Sequence, residues 1–210
     1  YGMNFDGIIF DLDGTLWDSA EGICGTWEQV IGKYPEVDRK ITVDDLHSCM
    51  GLALDEIGLK LFPKLSEDMR KKLMKECCDL ENEYLSVHGG VLYPELEDTL
   101  KKLSEKYRLF IVSNCQDGYI ESFFTAHGLE KYFDDIECLG KTGLSKGENN
   151  KLIISRNNLK NAVYVGDTAG DRQSAVDAGI PFVYASYGFG NVQEYDYIID
   201  SISDMKKIFL

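Results

Sequence analysis

Four short, uninterrupted apolar runs constrain this chain more than any other feature: Gly7-Ile8-Ile9-Phe10, Leu109-Phe110-Ile111-Val112, Ala162-Val163-Tyr164-Val165 and Pro181-Phe182-Val183-Tyr184. A strand with one wet face alternates polar and apolar residues. Runs without alternation fit strands buried on both faces, as in a parallel sheet covered by helices. Helical patterns separate the later runs. Leu96, Leu100 and Leu103 recur on one face after Pro94, and Ile120, Phe123, Phe124 and His127 do so after Ser113-Asn114. Strands alternating with helices predict βαβ units and a doubly wound α/β sheet.

Residues 17 to about 90 break this rhythm, with helical patterns and no clear buried-strand run. In the best of these patterns Met69, Leu73, Cys77, Leu80 and Tyr84 form a stripe at four- and three-residue steps. Ser66 is its expected N-cap, with Glu67-Asp68 in the first turn. The reading is therefore an α/β core made of residues 3–16 and 91–210, interrupted by an inserted helical domain over 17–90. Tyr1-Gly2 ahead of Met3 read as an added extension and are set aside.

With 210 residues the chain can bury one full core plus a modest second unit. A net charge of −14 argues against sequence-independent nucleic-acid binding and against docking on anionic membranes. The same field would repel a phosphorylated substrate unless local cations overcome it. The six cysteines (24, 49, 77, 78, 115 and 138) show no metal-ligand spacing, and adjacent Cys77 and Cys78 are poorly placed to pair with each other. A signal peptide is not expected, and the sequence contains no membrane-length apolar run. A reduced, cytoplasmic setting is expected.

The first apolar run ends in Asp11-Leu12-Asp13-Gly14-Thr15, with Asp18 shortly after. Like charges this close repel, and an unpartnered carboxylate is costly to bury. Asp11 and Asp13 are two apart, so in an extended chain both side chains point the same way, and Gly14 then allows a sharp turn at the strand's carboxyl end. A second acidic pair stands in the same setting: Asp167 follows Val163-Tyr164-Val165-Gly166, and Asp171 comes four residues later. Carboxylates gathered at two strand ends can share a hard cation such as Mg²⁺, which prefers oxygen ligands. A Ca²⁺ loop of the EF-hand type does not fit, because its glycine and glutamate positions hold Leu16 and Gly22. Ser113 and Asn114, after another strand, offer a hydroxyl, an amide and backbone N–H groups to an anionic oxygen, and Lys146 offers an ammonium. Together these are the parts of a phosphoryl-transfer site.

With these residues in view, the sequence resembles the haloacid dehalogenase-like (HAD) hydrolase superfamily. Four motifs carry the resemblance in order: DLDGT at 11–15, SN at 113–114, Lys146 and GDTAGD at 166–171. It extends from about residue 5 to 200 and is strongest toward phosphoglycolate phosphatase-like members with a small helical cap. The resemblance implies a Rossmann-like core and a Mg²⁺-dependent phosphatase of small phosphomonoesters. Asp11 would be the nucleophile, forming an aspartyl-phosphate, with its other oxygen on the metal. Asp13 would be the general acid and base, its backbone carbonyl also on the metal. Ser113, Asn114 and Lys146 would hold the phosphate. Asp167 would bind the metal, with Asp171 supporting it. Asp13 sets the chain apart from true dehalogenases, which lack an acid there.

Departures from the pattern are Gly147-Glu148 where the family has a proline after the lysine, which keeps Lys141 as a fallback candidate, and a loop Met50–Glu56 without the basic residues of β-phosphoglucomutases. A sugar-phosphate mutase remains the alternative enzyme reading, and a catalytically idle phosphate- or protein-binding domain the alternative outside enzymes. The expected partner is a small phosphorylated metabolite, with monomer and dimer both open.

Overall fold

A computed structural model describes residues 4–210; Tyr1 to Met3 lie outside the described residues. Six parallel strands form the sheet: β1 (Gly7–Phe10), β4 (Arg108–Ser113), β5 (Asp135–Cys138), β6 (Ala162–Gly166), β7 (Phe182–Ala185) and β8 (Tyr197–Ile199), in the spatial order β5-β4-β1-β6-β7-β8. A short antiparallel pair, β2 (Trp17–Asp18) with β3 (Val91–Leu92), completes the strands.

Burial on both faces follows the pleat. Ile8, Phe10, Ile111, Val163 and Val165 face one core cluster, and Ile9, Phe110, Val112 and Tyr164 face the other. The helices between strands cover these faces: α5 (Leu96–Ser104), α6 (Tyr119–His127), α7 (Leu139–Thr142), α8 (Lys146–Arg156), α9 (Ala169–Ala178) and α10 (Met205–Phe209). No helix among the described residues is long and apolar enough to cross a membrane.

Chain order moves outward from β1 to β4 and β5 on one side, and from β6 to β7 and β8 on the other. The switch point lies between β1 and β6, where open α/β sheets form a crevice at the strands' carboxyl ends. Sequence reading found the four strands buried on both faces and missed the two edge strands, β5 and β8.

Between β2 and β3 lies a helical insertion: α1 (Ala20–Ile31), α2 (Val43–His47), α3 (Leu54–Leu61) and α4 (Glu67–His88). Thr42 caps α2 in a reciprocal capping box with Asp45, and the Ser66 hydroxyl accepts from the Met69 N–H to cap α4. The stripe on α4 is wider than the sequence periodicity indicates. Leu73, Met74, Cys77, Cys78, Glu81 and Leu85 are buried, whereas Tyr84 is exposed and stacks on His88. Trp17, at the start of the insertion, is fully buried and packs edge-on against Phe123 and Tyr119 of α6, with ring centroids 5.1 and 5.7 Å away. Truncating such an aromatic to alanine costs about 3–5 kcal/mol, so this contact is a principal anchor of the insertion on the core. All six cysteines are free.

Candidate active site

Three adjacent strands deliver the candidate residues to one place. Asp11 follows β1, Ser113 ends β4 and Asp167 follows β6; Asp171 comes from the first turn of α9 and Lys146 from the start of α8. The N-terminal ends of α8 and α9 are secured locally. Ser145 accepts from the Glu148 N–H, and Thr168 forms a capping box with Asp171. Gly147, where a proline was expected, lets α8 lie against α9, since a Cβ there would come within 2.8 Å of the Asp177 Cβ. Lys141 is exposed on α7, so Lys146 is the lysine that the fold brings to the carboxylates.

Asp11, Asp167 and Asp171 are buried, and their carboxylate oxygens lie within 4.8 Å of one another. Lys146 Nζ donates to Asp11 Oδ1 at 3.2 Å and to Asp171 Oδ1 at 2.5 Å. The remaining oxygen of Asp171 accepts the backbone N–H groups of Asp167 and Thr168 at 2.9 and 3.1 Å. Asp167 accepts from the Phe189 N–H at 2.8 Å and from the Thr15 hydroxyl at 3.3 Å. Asp11 Oδ2 is buried and has no partner. Gly14, at a φ of 81°, and Gly188 keep space around Asp167: a Cβ on either would fall within 2.2 or 2.3 Å of that side chain.

The electrostatics follow from this crowding. Burial and the neighbouring Asp171 push the Asp11 carboxyl well above the usual carboxylate range. The same two causes raise Asp167 to about 7. Burial opposes charge on Asp171 as well, yet Lys146 prevails and holds it below its ordinary value. Burial also opposes the Lys146 charge, but Asp11 and Asp171 keep its ammonium above the usual lysine range. One ammonium thus faces three buried carboxylates. The orphaned Asp11 oxygen and this excess of hard, anionic oxygen donors fit a divalent cation.

Asp13 behaves differently from its neighbour. Regular strand ends at Phe10, so the expected alternation does not carry through, and the Asp13 carboxylate lies outside the acidic cluster. The Tyr119 hydroxyl, the Trp17 indole N–H and the Ser19 hydroxyl all donate to its Oδ1, at 2.6, 2.9 and 3.3 Å. Burial raises its carboxyl to about 6 despite these three bonds.

Ser113 is buried at the end of β4. The Asn114 side chain donates from Nδ2 to the Gly51 carbonyl of the insertion at 3.1 Å, while its Oδ1 is buried without a partner.

Over Asp13 and Asn114 the insertion closes a cavity of about 50 Å³, roofed by Leu46, Met50, Leu52, Leu54 and Ile57. Glu81 of α4 and Gln116 of the core share its wall. A wider groove of about 620 Å³ opens beyond Leu54 and Gln116, along α3 and α4, and contains none of the carboxylates of the cluster.

Sequence reasoning did not find Glu81, Tyr119 or the indole of Trp17. For Glu81 a signal existed, an acidic residue in register with the buried positions Cys77 and Leu85 of one helix face.

An acid–lysine cluster at the switch point of a doubly wound sheet, under a helical roof, is the arrangement of an α/β enzyme. The chain belongs to the haloacid dehalogenase-like hydrolases, whose family model matches residues 8–185. It is similar to the phosphoglycolate phosphatase of Vibrio parahaemolyticus, with 26% identity over 96% of this chain and 94% of that protein. It is also similar to the phosphoglycolate phosphatase of Rhodobacter capsulatus, with 30% identity over 87% of this chain and 84% of that one. In fold it matches a haloacid dehalogenase-like hydrolase from Streptococcus pneumoniae, with a TM-score of 0.85, 22% identity and coverage of 98% and 99% of the two chains.

Proposed function

We propose that the protein is a Mg²⁺-dependent phosphatase of small phosphomonoesters that works through an aspartyl-phosphate. The observation that carries this reading is the unpartnered buried oxygen of Asp11, set among Asp167, Asp171 and a single lysine. Asp11, Asp167 and the backbone carbonyl of Asp13 are the expected holders of Mg²⁺, which when bound supplies positive charge to offset the phosphoryl oxygens. Asp171, with both oxygens already taken by Lys146 and backbone N–H groups, acts by fixing the lysine and the turn after β6.

In the first step a carboxylate oxygen of Asp11 attacks phosphorus and the ester P–O bond breaks. The departing alkoxide takes a proton from Asp13 and leaves as an alcohol. In the second step Asp13 accepts a proton from water, whose oxygen attacks the aspartyl-phosphate. Inorganic phosphate leaves and the Asp11 carboxylate is restored. Asp13, with a carboxyl raised to about 6, can give and take a proton near neutrality. Lys146, Ser113 and the backbone N–H of Asn114 hold phosphoryl oxygens.

Residues 17–90 act as a cap that excludes water and limits substrate size. The supports are the tie between Asn114 and Gly51 and the apolar roof over the cavity.

The test is phosphate release from p-nitrophenyl phosphate with Mg²⁺, after exhaustive chelation, and in Asp11→Asn. Activity should vanish on chelation and return with Mg²⁺. The variant should lose at least ~10³-fold of the rate. Full activity in either the chelated enzyme or the variant would overturn the mechanism.

A further inference from the structure

The space left for the leaving group has an unusual chemistry. Besides the Asp13 carboxyl and the Gln116 amide oxygen, two groups on its wall are hydrogen-bond acceptors, and no lysine, arginine or histidine lines it. Glu81 is 3% exposed. One of its oxygens accepts from the Trp27 indole N–H at 2.7 Å and the other from the Gln116 amide. Each carboxylate oxygen can accept a second bond, so Glu81 keeps capacity toward the cavity. The other acceptor is Asn114 Oδ1, buried and without a donor because the amide nitrogen is committed to the Gly51 carbonyl. A buried acceptor left unpaired is a standing cost that a ligand donor can remove. Lys146, the one cation of the site, is already held by Asp11 and Asp171.

We propose that the leaving group this enzyme accepts is a compact alcohol that carries a hydrogen-bond donor and no anionic group, an amino alcohol or a diol, read by Glu81 and Asn114. The inference rests on the phosphatase reading above and narrows its substrate class. Size follows from the cavity, whose 50 Å³ has room for about three or four waters. Charge follows from Glu81. A carboxylate on the leaving group, such as that of phosphoglycolate, would face a buried acidic group and an amide oxygen with no cation to meet it. An ammonium or hydroxyl would donate to both. Burial pushes the Glu81 carboxyl up to about 8, opposed by the Gln116 and Trp27 bonds. A bound ammonium would hold Glu81 ionised, whereas an anion beside it would push the carboxyl further toward its protonated form.

The experiment compares kcat/KM for three esters of matched length, phosphoethanolamine, 2-hydroxyethyl phosphate and phosphoglycolate, in the Mg²⁺-loaded enzyme. p-Nitrophenyl phosphate serves as the reporter of a working phosphatase site. The first two should exceed phosphoglycolate by at least ~10-fold, because an anion there meets no cation and leaves the Asn114 acceptor unpaired. Preference for phosphoethanolamine over 2-hydroxyethyl phosphate supports recognition of charge by an ionised Glu81, and equality of the two supports recognition of the donor alone. In Glu81→Gln the ratio within the variant should shrink to within ~3-fold, mainly through a lower KM for phosphoglycolate.

The wild-type ratio decides the leaving-group class even if the variant does not fold. No phosphate release from p-nitrophenyl phosphate or from any of the three small esters would overturn the phosphatase reading and the leaving-group assignment with it. Turnover together with a preference for phosphoglycolate overturns the leaving-group assignment alone. A folded Glu81→Gln with an unchanged ratio removes Glu81 from the role.

Discussion

Replacing Asp167 by asparagine should stabilise the metal-free protein while removing its response to metal. Asp167 is fully buried, and its carboxyl is raised from an ordinary value of 3.8 to about 7 by burial and by Asp171. Each pKa unit corresponds to about 1.36 kcal/mol, so keeping this group ionised above neutrality costs up to ~4 kcal/mol. Asparagine removes that cost but keeps only one oxygen for the two donors, Phe189 N–H and Thr15 O–H. Losing one such bond returns about 1–2 kcal/mol, for a net gain near ~2 kcal/mol. For a chain of this size that is an increase in Tm of about 4–8 °C.

The sign with pH is fixed by linkage. The folded value lies above the unfolded one, so the wild-type protein loses stability as pH rises from about 3.8 to about 7. The advantage of Asp167→Asn should therefore be full above that window and absent below it. Thermal unfolding in EDTA at several pH values measures this. Saturating Mg²⁺ should then reverse the order, because a ligand at a hundredfold its Kd adds about 2.7 kcal/mol to a protein that binds it. A variant that melts below wild type in EDTA above neutral pH refutes the reasoning. So does an equal Mg²⁺ shift in both proteins.

Three further outcomes follow from the same geometry. Asp13→Asn should slow alkyl phosphates far more than p-nitrophenyl phosphate, whose leaving group needs no proton; equal losses in a steady-state assay would count against Asp13 as the acid. Lys146→Met leaves the Asp11 and Asp171 carboxylates buried without their cation, and denaturant titration at neutral pH should show a loss of about 3–5 kcal/mol, partly recovered in acid. Gly188→Ala places a Cβ within 2.3 Å of the Asp167 Cβ and 2.4 Å of the Gly14 carbonyl, and should lower both Tm and Mg²⁺ affinity measured by calorimetry.

How far the sequence could be read depended on how many sides of a segment are buried. Ile8–Phe10 and Val163–Val165 lie between two neighbours under two helix layers, so every position is apolar and the run stands out. β5 is an edge strand whose Asp135 and Glu137 pair with Arg156, so its composition resembles a turn. β8 has only three residues on the opposite edge. The acidic cluster was legible because its members sit within a few residues of the strands that place them. The partners of Asp13 were not, because Tyr119 is 106 positions away and reaches it only when α6 packs beneath the insertion. Glu81 stood in register with the buried face of its helix, but its partners were hidden for the same reason: Trp27 and Gln116 are 54 and 35 positions distant.

The two carboxylates of the first turn can do different work because the fold gives them different neighbours. Asp11 faces Lys146 and the other acids, a setting whose excess of buried carboxylates fits a bound cation, which would in turn hold Asp11 ionised. Asp13 faces neutral donors, and two of the three, Trp17 and Ser19, lie where the chain enters the insertion. Its carboxyl near 6 is therefore a property of the closed arrangement, in which burial raises the value and the three donors limit the rise. Swinging the insertion away would admit water and return Asp13 toward the ordinary carboxylate range, where it is a poor proton donor at neutral pH. On the mechanism proposed above, closure on a leaving group and readiness of the acid would be one event, and a substrate that cannot satisfy Glu81 and Asn114 would forgo both.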